Sequence, residues 1–408
     1  MKLLRTFSTR RLLAMIATAV AAIAAGTAIA VAASGTGPVP PPKPLAAAIH
    51  DALAAPAVSG ITAQVTFTNH LIDASNIQGS DPILTGATGR LWLSSDHRLR
   101  LELQSDSGDA QVVVNNGSFW VYDPASKTVY EGKLPSPPQN EATHKPSASD
   151  MLASVGQIQT ELNRLMAHLD FSGAVPGDVA GHAAYTVRVS PKHDGGLLGA
   201  GELAVDAASG VPLRVAVYAR GNTSPVLELK ATGISYGPVA ASVFSITPQS
   251  GAKVVKVATP GAGASDHGGA RPHGVKGRRH VEIKGLGPVE RALPFKLVAP
   301  STLVGLPRRS VTLLDWGGSP AALLTYGENL GGVAVIERTA PSDTAGAPSA
   351  GSDHHRGLSL PTVSINGATG QELDTALGTM VRFTRGAVSY TLIGSVPAVA
   401  ADAAARAL

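Results

Sequence analysis

The segment from Arg90 to Pro135 limits the possible folds more than any other part of the chain, because it holds three apolar alternations separated by turn residues. In the run from Leu99 to Gln104, leucines alternate with polar residues, which is the period of a strand with one buried and one wet face. Asn116-Gly117 favours a two-residue hairpin, since both central positions of a type I′ turn need positive φ. A second turn is predicted at Asp123-Pro124. The segment therefore predicts an antiparallel β meander.

Composition excludes several classes of protein. The chain has 408 residues, 44% of them hydrophobic and 15% charged, which fits two or three globular domains. Cysteine is absent, so disulfides, thiolate metal sites, cysteine nucleophiles and lipid attachment at an N-terminal cysteine are excluded. The net charge of +4 comes partly from basic residues ahead of the first apolar segment, and it predicts no nucleic-acid partner.

That first apolar segment, Leu12 to Ala33, follows a basic start and predicts an export signal. Its small-residue ending favours cleavage as a signal peptide, whereas its length also suits an uncleaved anchor in the cytoplasmic membrane. Either outcome places the rest of the chain outside the membrane, so we predict an extracytoplasmic protein.

The remaining pattern predicts an α+β fold in which helices cover one face of an antiparallel sheet, followed by a smaller α+β domain. A helix is predicted at Leu45 to Leu53 and another from a cap at Ser149-Asp150 to Leu169. A second meander begins at Ala183 and ends in a strand or turn at Val243 to Pro248. In the smaller domain, the first strand is predicted at Phe295 to Pro300 and the last helix at Ala398 to Leu408, with Pro397 suiting its first turn. The predicted divisions are a signal peptide or anchor at 1–35, a Pro-rich spacer at 36–44, the main domain at 45–258, a flexible linker at 259–284 and the smaller domain at 285–408.

No residue pattern predicts an enzyme or a cofactor site. The strongest metal candidate is His354-His355 with Asp353, but adjacent histidines in a Gly/Ser loop lack a scaffold and a third fixed ligand. His267, His273 and His280 lie in the predicted linker and favour a weakly basic tract. A hydrolase that uses His or Asp residues is therefore unsupported.

The remaining signal is apolar. Trp92 and Trp120 lie on the first meander although aromatic residues make up only 4% of the chain, which suggests a surface that covers an apolar group. One set of strand residues could share the concave side of a curved sheet and bind a ligand. They are either core beneath the helices or the wall of an apolar cavity, and periodicity does not separate the two. The set comprises Phe67, Leu91, Leu93, Leu99, Leu101, Leu103, Phe119, Val121, Tyr185, Leu203, Leu213 and Val215.

Several motifs resemble the LolA-type lipoprotein carriers and their relatives, the RseB/MucB-type regulators of sigma factors. They are Leu91-Trp92-Leu93, the run from Val112 to Gly117, the run from Phe119 to Pro124, the run from Asp206 to Arg214, and Phe244 with Pro248. The resemblance implies a strongly curved, half-open antiparallel sheet with helices as its lid. It implies that lipid or lipoprotein acyl chains bind in the concavity.

The sequence departs from the carriers at one point. Ser94-Ser95-Asp96 occupies the place of an Arg-Pro pair whose arginine helps to close the lid in that family. Arg100 matches a second arginine of the pattern, and no gating role is assigned to it. The smaller domain resembles the two-domain regulators, since simple carriers lack it. The alternative function is therefore regulation of an extracytoplasmic sigma factor through a membrane anti-sigma protein.

Overall fold

The computed structural model describes residues 37–72, 82–106, 108–124, 126–134, 154–193, 196–248, 250–257, 283–316, 319–340 and 360–408. Five predictions lie outside these ranges: the export signal, the cap at Ser149-Asp150, most of the linker, the linker histidines, and the cluster of Asp353, His354 and His355. Among the described residues, no helix is long and apolar enough to cross a membrane.

Thirteen of the described strands form a curved sheet, antiparallel except at one edge. Its order is β13-β6-β5-β4-β3-β2-β1-β12-β11-β10-β9-β7, and β8 also pairs with β9. The strands are β1 Gly60–Asn69, β2 Ala87–Ser94, β3 Leu99–Gln104, β4 Ala110–Asn115, β5 Ser118–Asp123, β6 Thr128–Lys133, β7 Leu169–Phe171, β8 Val175–Val179, β9 His182–Pro191, β10 Leu198–Asp206, β11 Pro212–Ala219, β12 Leu227–Tyr236 and β13 Lys253–Lys256.

Both predicted meanders are present. Asn116 and Gly117 have φ of 50° and 72°, as the predicted hairpin requires, and they join β4 to β5. Leu101 pairs with Leu91 on one side and with Val112 on the other, so the apolar residues of successive strands line up on one face. The α+β fold class predicted from the sequence is confirmed.

Five helices are described: α1 Leu45–Ala54, α2 Pro82–Thr85, α3 Val155–Leu165, α4 Leu286–Ala292 and α5 Ala398–Arg406. Helix α3 ends before the predicted bound at Leu169, and among the described residues it begins after Ser154. Its N-cap is Ser154, whose hydroxyl accepts the Gln157 N–H while the Gln157 side chain accepts the Ser154 N–H, a reciprocal capping box. Leu169 belongs to β7 instead, because its backbone pairs with Pro191 of β9.

The second sheet has the order β14-β15-β16-β17-β21-β20-β19-β18. Its strands are β14 Thr302–Leu303, β15 Leu306–Trp316, β16 Ser319–Tyr326, β17 Val333–Thr339, β18 Thr362–Ile365, β19 Ala368–Thr375, β20 Gly378–Arg385 and β21 Val388–Gly394. Its core lies on the side covered by α4 and α5.

The strand predicted at Phe295 to Pro300 is wrong, since this segment is irregular. The Val298 N–H donates to the Glu337 carboxylate at 3.0 Å instead of to a neighbouring strand. Pro300 has no N–H to offer a ladder.

After β12, a short 3-10 helix, Ala241–Phe244, overlaps the segment predicted as a strand or turn. It is followed by β13, which pairs in parallel with β6. Phe244 is 1% exposed and packs over the first meander, where the Arg98 guanidinium lies 5.0 Å from its ring. Arg100 of β3 donates to the Val243 carbonyl at 3.0 Å, which fixes this segment against the sheet.

Trp92 and Trp120 do not share a face with the predicted ligand residues. Trp92 pairs with Arg100, Arg100 with Val113, and Val113 with Trp120, so all four side chains alternate away from the leucines. The tryptophans therefore lie on the face that the 3-10 helix crosses, and their role in covering an apolar group stays a prediction.

Candidate apolar ligand site

A cavity of about 500 Å³ lies between α1 and the strands β9, β10 and β11. A volume in this range is typical of small-molecule sites. Its walls are almost entirely apolar. The lining residues are Leu45, Ala48, Ile49, Ala52, Leu53, Phe171, Tyr185, Val187, Val189, Gly201, Glu202, Leu203, Val205, Val215, Ala216 and Val217.

The roof of the cavity is one stripe of α1. Leu45, Ala48, Ile49 and Ala52 recur at helical three-and-four spacing and so share a side of the helix. Ala48 is buried against the sheet, whereas Leu53 at the end of the helix remains 47% exposed although it lines the cavity. The cavity is therefore open toward solvent near Leu53.

Helix α3 holds α1 in place from the side. Ile158 and Leu162 of α3 are buried against Ala46, and Leu45 and Ile49 pack on the same cluster. Because Leu45 and Ile49 also line the cavity, the two helices and the cavity wall share side chains. The position of α3 thus controls how closely α1 approaches the sheet.

The segment before α1 is attached to the sheet at one end of the cavity. The Tyr185 hydroxyl donates to the Pro41 carbonyl at 2.7 Å, and Pro40 is buried. Lys43 lies over the Tyr185 ring, with Nζ 5.0 Å from the centroid, and pairs with Asp51 of α1 at 2.7 Å. The hydrogen bond from Lys43, and next that from His50, lowers the pKa of Asp51, and the same bond to Asp51 raises the pKa of Lys43.

Three of the residues predicted to bind ligand line this cavity: Tyr185, Leu203 and Val215. They come from three neighbouring strands, β9, β10 and β11, and Leu203 and Val215 are directly paired. The alternation of the second meander places them on the face that α1 covers.

A second group forms the core of the other half of the sheet. Leu93 is buried in a cluster with strand β1, and Leu91, Leu99 and Leu101 pack against that cluster. Leu91 and Leu93 also line a small cavity of about 30 Å³, room for about one water molecule. That space is too small for an acyl chain.

The remaining predicted residues are not among the described residues that line the large cavity. Phe67, Phe119 and Val121 are half-buried and Leu103 is buried, all within strands of the first meander or β1. Leu213 packs with Ala184 and Ala204 instead, beside the irregular pairing between Ala204 and Val205.

The sequence prediction missed the contribution of α1. Five of its residues line the cavity, more than any single strand provides. Their three-and-four spacing was available in the sequence, but spacing marks an apolar face without identifying the strands it will cover.

Two polar networks lie beside the cavity strands. Glu202 accepts from Arg188 at 2.8 Å, from Arg214 at 2.9 Å and from the Tyr218 hydroxyl at 2.7 Å, and its side chain is 4% exposed. Burial opposes ionisation of Glu202, but the bonds from Tyr218, Arg188 and Arg214 prevail and lower its pKa. Arg214 also pairs with Glu228 of β12.

The second network centres on Asp206 at the turn after β10. Its carboxylate accepts from the N–H groups of Ala208 and Ser209, from the Tyr236 hydroxyl at 2.9 Å, and pairs with His182 Nδ1 at 2.8 Å. Burial opposes ionisation here too, and these bonds outweigh it to lower the pKa of Asp206. Both carboxylate oxygens are thus engaged in bracing the turn.

The polar side chains of the motif from Asp206 to Arg214 therefore stabilise the strands β9, β10 and β11 that lie on the sheet side of the cavity. Arg100 is engaged elsewhere, with Glu102, with the Val243 carbonyl and with the Trp92 ring. Ser94 and Asp96 form the β2–β3 turn, where Asp96 pairs with Arg98 at 2.7 Å. Within the described residues, no group of three or more His, Asp or Glu could hold a metal ion.

No protein-family model and no curated protein matches the chain. Solved structures do show a likeness. One is a chain of the Pseudomonas aeruginosa MucA/MucB complex, at 16% identity over 88% of this chain and 96% of that chain, with a TM-score of 0.41. Another is MucB in complex with MucA(peri), at 15% identity over 88% and 94%, with a TM-score of 0.39. A third is a LolA superfamily protein from Nitrosomonas europaea, at 9% identity over 50% and 99%, with a TM-score of 0.20. These neighbours come from the two groups that the sequence motifs resemble. Identity and TM-score are too low for the likeness to establish a function.

Proposed function

We propose that this chain is an extracytoplasmic, non-enzymatic protein that binds a single acyl chain in the cavity beneath α1, as a carrier or a sensor. The observation that carries the proposal is the cavity itself, whose walls are almost entirely apolar and which is open at Leu53. An apolar surface of this kind gains free energy when it is covered, at about 25 cal/mol per Å² of buried area.

The volume limits the ligand. At roughly 30 Å³ per methylene, about the volume of a water molecule in the liquid, the 500 Å³ cavity holds one chain of about sixteen carbons. A ligand with several acyl chains would leave most of them outside the described cavity. The occupant is thus one chain or one arm of a larger lipid.

The direct test is extraction of the purified protein with organic solvent, followed by mass spectrometry and by titration with fatty acids from ten to twenty carbons. Each added methylene contributes about 0.8 kcal/mol, so affinity should rise about fourfold per carbon and level off near sixteen. A lipid-free protein whose affinity does not depend on chain length would contradict the proposal.

A matched pair of variants locates the site. Leu203 and Leu101 are both half-buried leucines within strands, but only Leu203 lines the large cavity. Leu203→Trp should fill the space and reduce fatty-acid uptake at least tenfold, while Leu101→Trp should leave uptake within twofold of the wild type. Circular dichroism melts confirm that each variant is folded. Equal loss of uptake in the two variants would argue against a site beneath α1.

A second candidate function is regulation of an extracytoplasmic sigma factor through a membrane anti-sigma protein. The feature that favours it is the second sheet, whose core lies on the side where α4 and α5 pack. On its other side Ile393 is 47% exposed, in a row with Met380 and Leu373. Co-purification with the outer segment of a single-span membrane protein, lost in Ile393→Asp, would support this role. Undiminished capture by that variant would exclude this surface.

A further inference from the structure

Two oppositely charged side chains, Lys43 and Asp51, lie beside the cavity, although neither is among the residues that line it. The Lys43 Nζ lies over the ring of Tyr185, a lining residue, 5.0 Å from the ring centroid. Asp51 lies farther out, with its side chain 49% exposed, and is shared between Lys43 and His50. The ammonium group therefore lies against a residue of the cavity wall.

Lys43 can exchange its partner at small cost. Its ion pair with Asp51 is partly exposed, and such pairs contribute little to stability. When Lys43 leaves, Asp51 keeps His50, whose Nδ1 is 3.4 Å from the carboxylate, and keeps its contact with water. An incoming anion would meet the ammonium beside a buried aromatic wall, where charge-assisted bonds are stronger than in bulk water.

We propose that the cavity takes a single-chain anionic amphiphile, with the chain beneath α1 and the anionic head group paired with Lys43 in place of Asp51. This inference rests on the proposed function and adds the charge of the head group. A fatty acid carboxylate and a monoacyl phosphate share the required chemistry.

The test compares three probes that have the same twelve-carbon chain: dodecanoate, the neutral dodecanoyl glycerol and the cationic dodecyltrimethylammonium. Each is used below its micelle concentration to displace the neutral fluorophore N-phenyl-1-naphthylamine from the full chain. Dodecanoate should displace the fluorophore at a concentration about tenfold lower than the other two. A control titration with dodecyl phosphate separates a general anion preference from a preference for carboxylate.

Variants assign the preference to Lys43. Lys43→Met keeps the apolar stem and should abolish the preference for dodecanoate, while affinity for dodecanoyl glycerol stays within twofold. Lys43→Arg should retain the preference. Lys253→Met, on the exposed edge strand β13, is the matched control and should change nothing.

Asp51→Asn removes the carboxylate that competes for Lys43 and should tighten dodecanoate binding several-fold. A misfolded variant would bind dodecanoate more weakly, so this result cannot arise from misfolding. Failure of all three probes to displace the fluorophore would refute the proposed function itself. Equal displacement by the three, a cationic preference, or an unaltered preference in Lys43→Met would refute the head-group inference alone.

Discussion

Glu337 is a buried carboxylate whose replacement should change how the second sheet responds to pH. It lies in β17, is fully buried, and its Oε2 accepts the Val298 N–H at 3.0 Å, while its Oε1 has no partner in the described structure. Tyr390 pairs with it across the strands. Burial raises the pKa of Glu337 to about 7 from an ordinary 4.5, and the Val298 N–H only partly offsets this.

The sign of the effect follows from proton binding. Between pH 4.5 and 7 the folded chain keeps a proton that the unfolded chain has lost, so stability falls as pH rises through this window. Above pH 7 the buried carboxylate is ionised, and this lowers the free energy of unfolding by about 3 kcal/mol, at about 1.4 kcal/mol per pKa unit. Below pH 4.5 both states are protonated and the cost disappears.

Glu337→Gln keeps the shape of the side chain and an acceptor for Val298 but carries no charge. We expect it to stabilise β17 by about 2 kcal/mol at pH 8, since the new amide Nε2 lacks a partner at a cost of about 1 kcal/mol. At pH 4.5 the variant should be no more stable than the wild type. Hydrogen exchange of peptides covering β17, corrected for the intrinsic rate at each pH, measures the opening free energy in the full chain.

Glu328→Gln is the control, because Glu328 is an exposed carboxylate in the loop after β16 and pairs with Arg309 of β15. It should leave the pH dependence unchanged. A wild-type β17 that is equally stable at pH 5 and pH 8, or a Glu337→Gln variant that loses stability over that range as the wild type does, would refute the reasoning.

Two further substitutions test the scaffold by denaturation and by uptake of fatty-acid probes. Arg214→Leu should lower the free energy of unfolding by about 3 kcal/mol at pH 7, because it removes one cationic partner of the buried Glu202. Glu202→Gln in the same chain should restore part of this stability. A loss of stability that Glu202→Gln does not reduce would contradict this account. Phe244→Ala should lower the free energy of unfolding by about 3–5 kcal/mol, because the smaller side chain leaves a space in the core. The folded fraction should bind acyl chains normally, because Phe244 is not among the described residues that line the ligand cavity. Weaker binding by the folded fraction would show that the two faces of the first sheet are coupled.

The local order of strands was predictable from the sequence because it rests on short-range rules. Alternation in Leu99 to Gln104 and the Asn116-Gly117 turn fix strand and hairpin, and the observed φ values of 50° and 72° agree. The same alternation places Trp92 on the opposite face of β2 from Leu91 and Leu93. The face on which each of these side chains lies therefore follows from the two-residue period of the strand.

What covers each face depends on contacts between distant segments, which local pattern does not encode. Leu101 and Leu203 have equivalent patterns in equivalent meanders, yet one packs in a core cluster and the other lines a 500 Å³ cavity. The difference arises because α1 lies over β9 to β11, a placement set by Ala48 against the second meander and by α3. The pairing of β13 with β6 is likewise long-range and was not predicted.

The position of the cavity also explains why the segment from Asp206 to Arg214 contains none of the residues that line it. Asp206 ends β10 and Arg214 lies in β11, and each is fixed by at least three polar groups. Just before Asp206 the pairing shifts between Ala204 and Val205, which alters the spacing of apolar side chains on the face below α1. An unpaired sheet floor would collapse onto the helix and fill the space, because apolar surfaces favour contact. The networks at Asp206 and Glu202 join β9, β10, β11 and β12 through side-chain bonds, so we expect them to hold these strands in register. The polar motif and the apolar site are thus two parts of one structure, and substitution within the motif should reduce binding by closing the cavity.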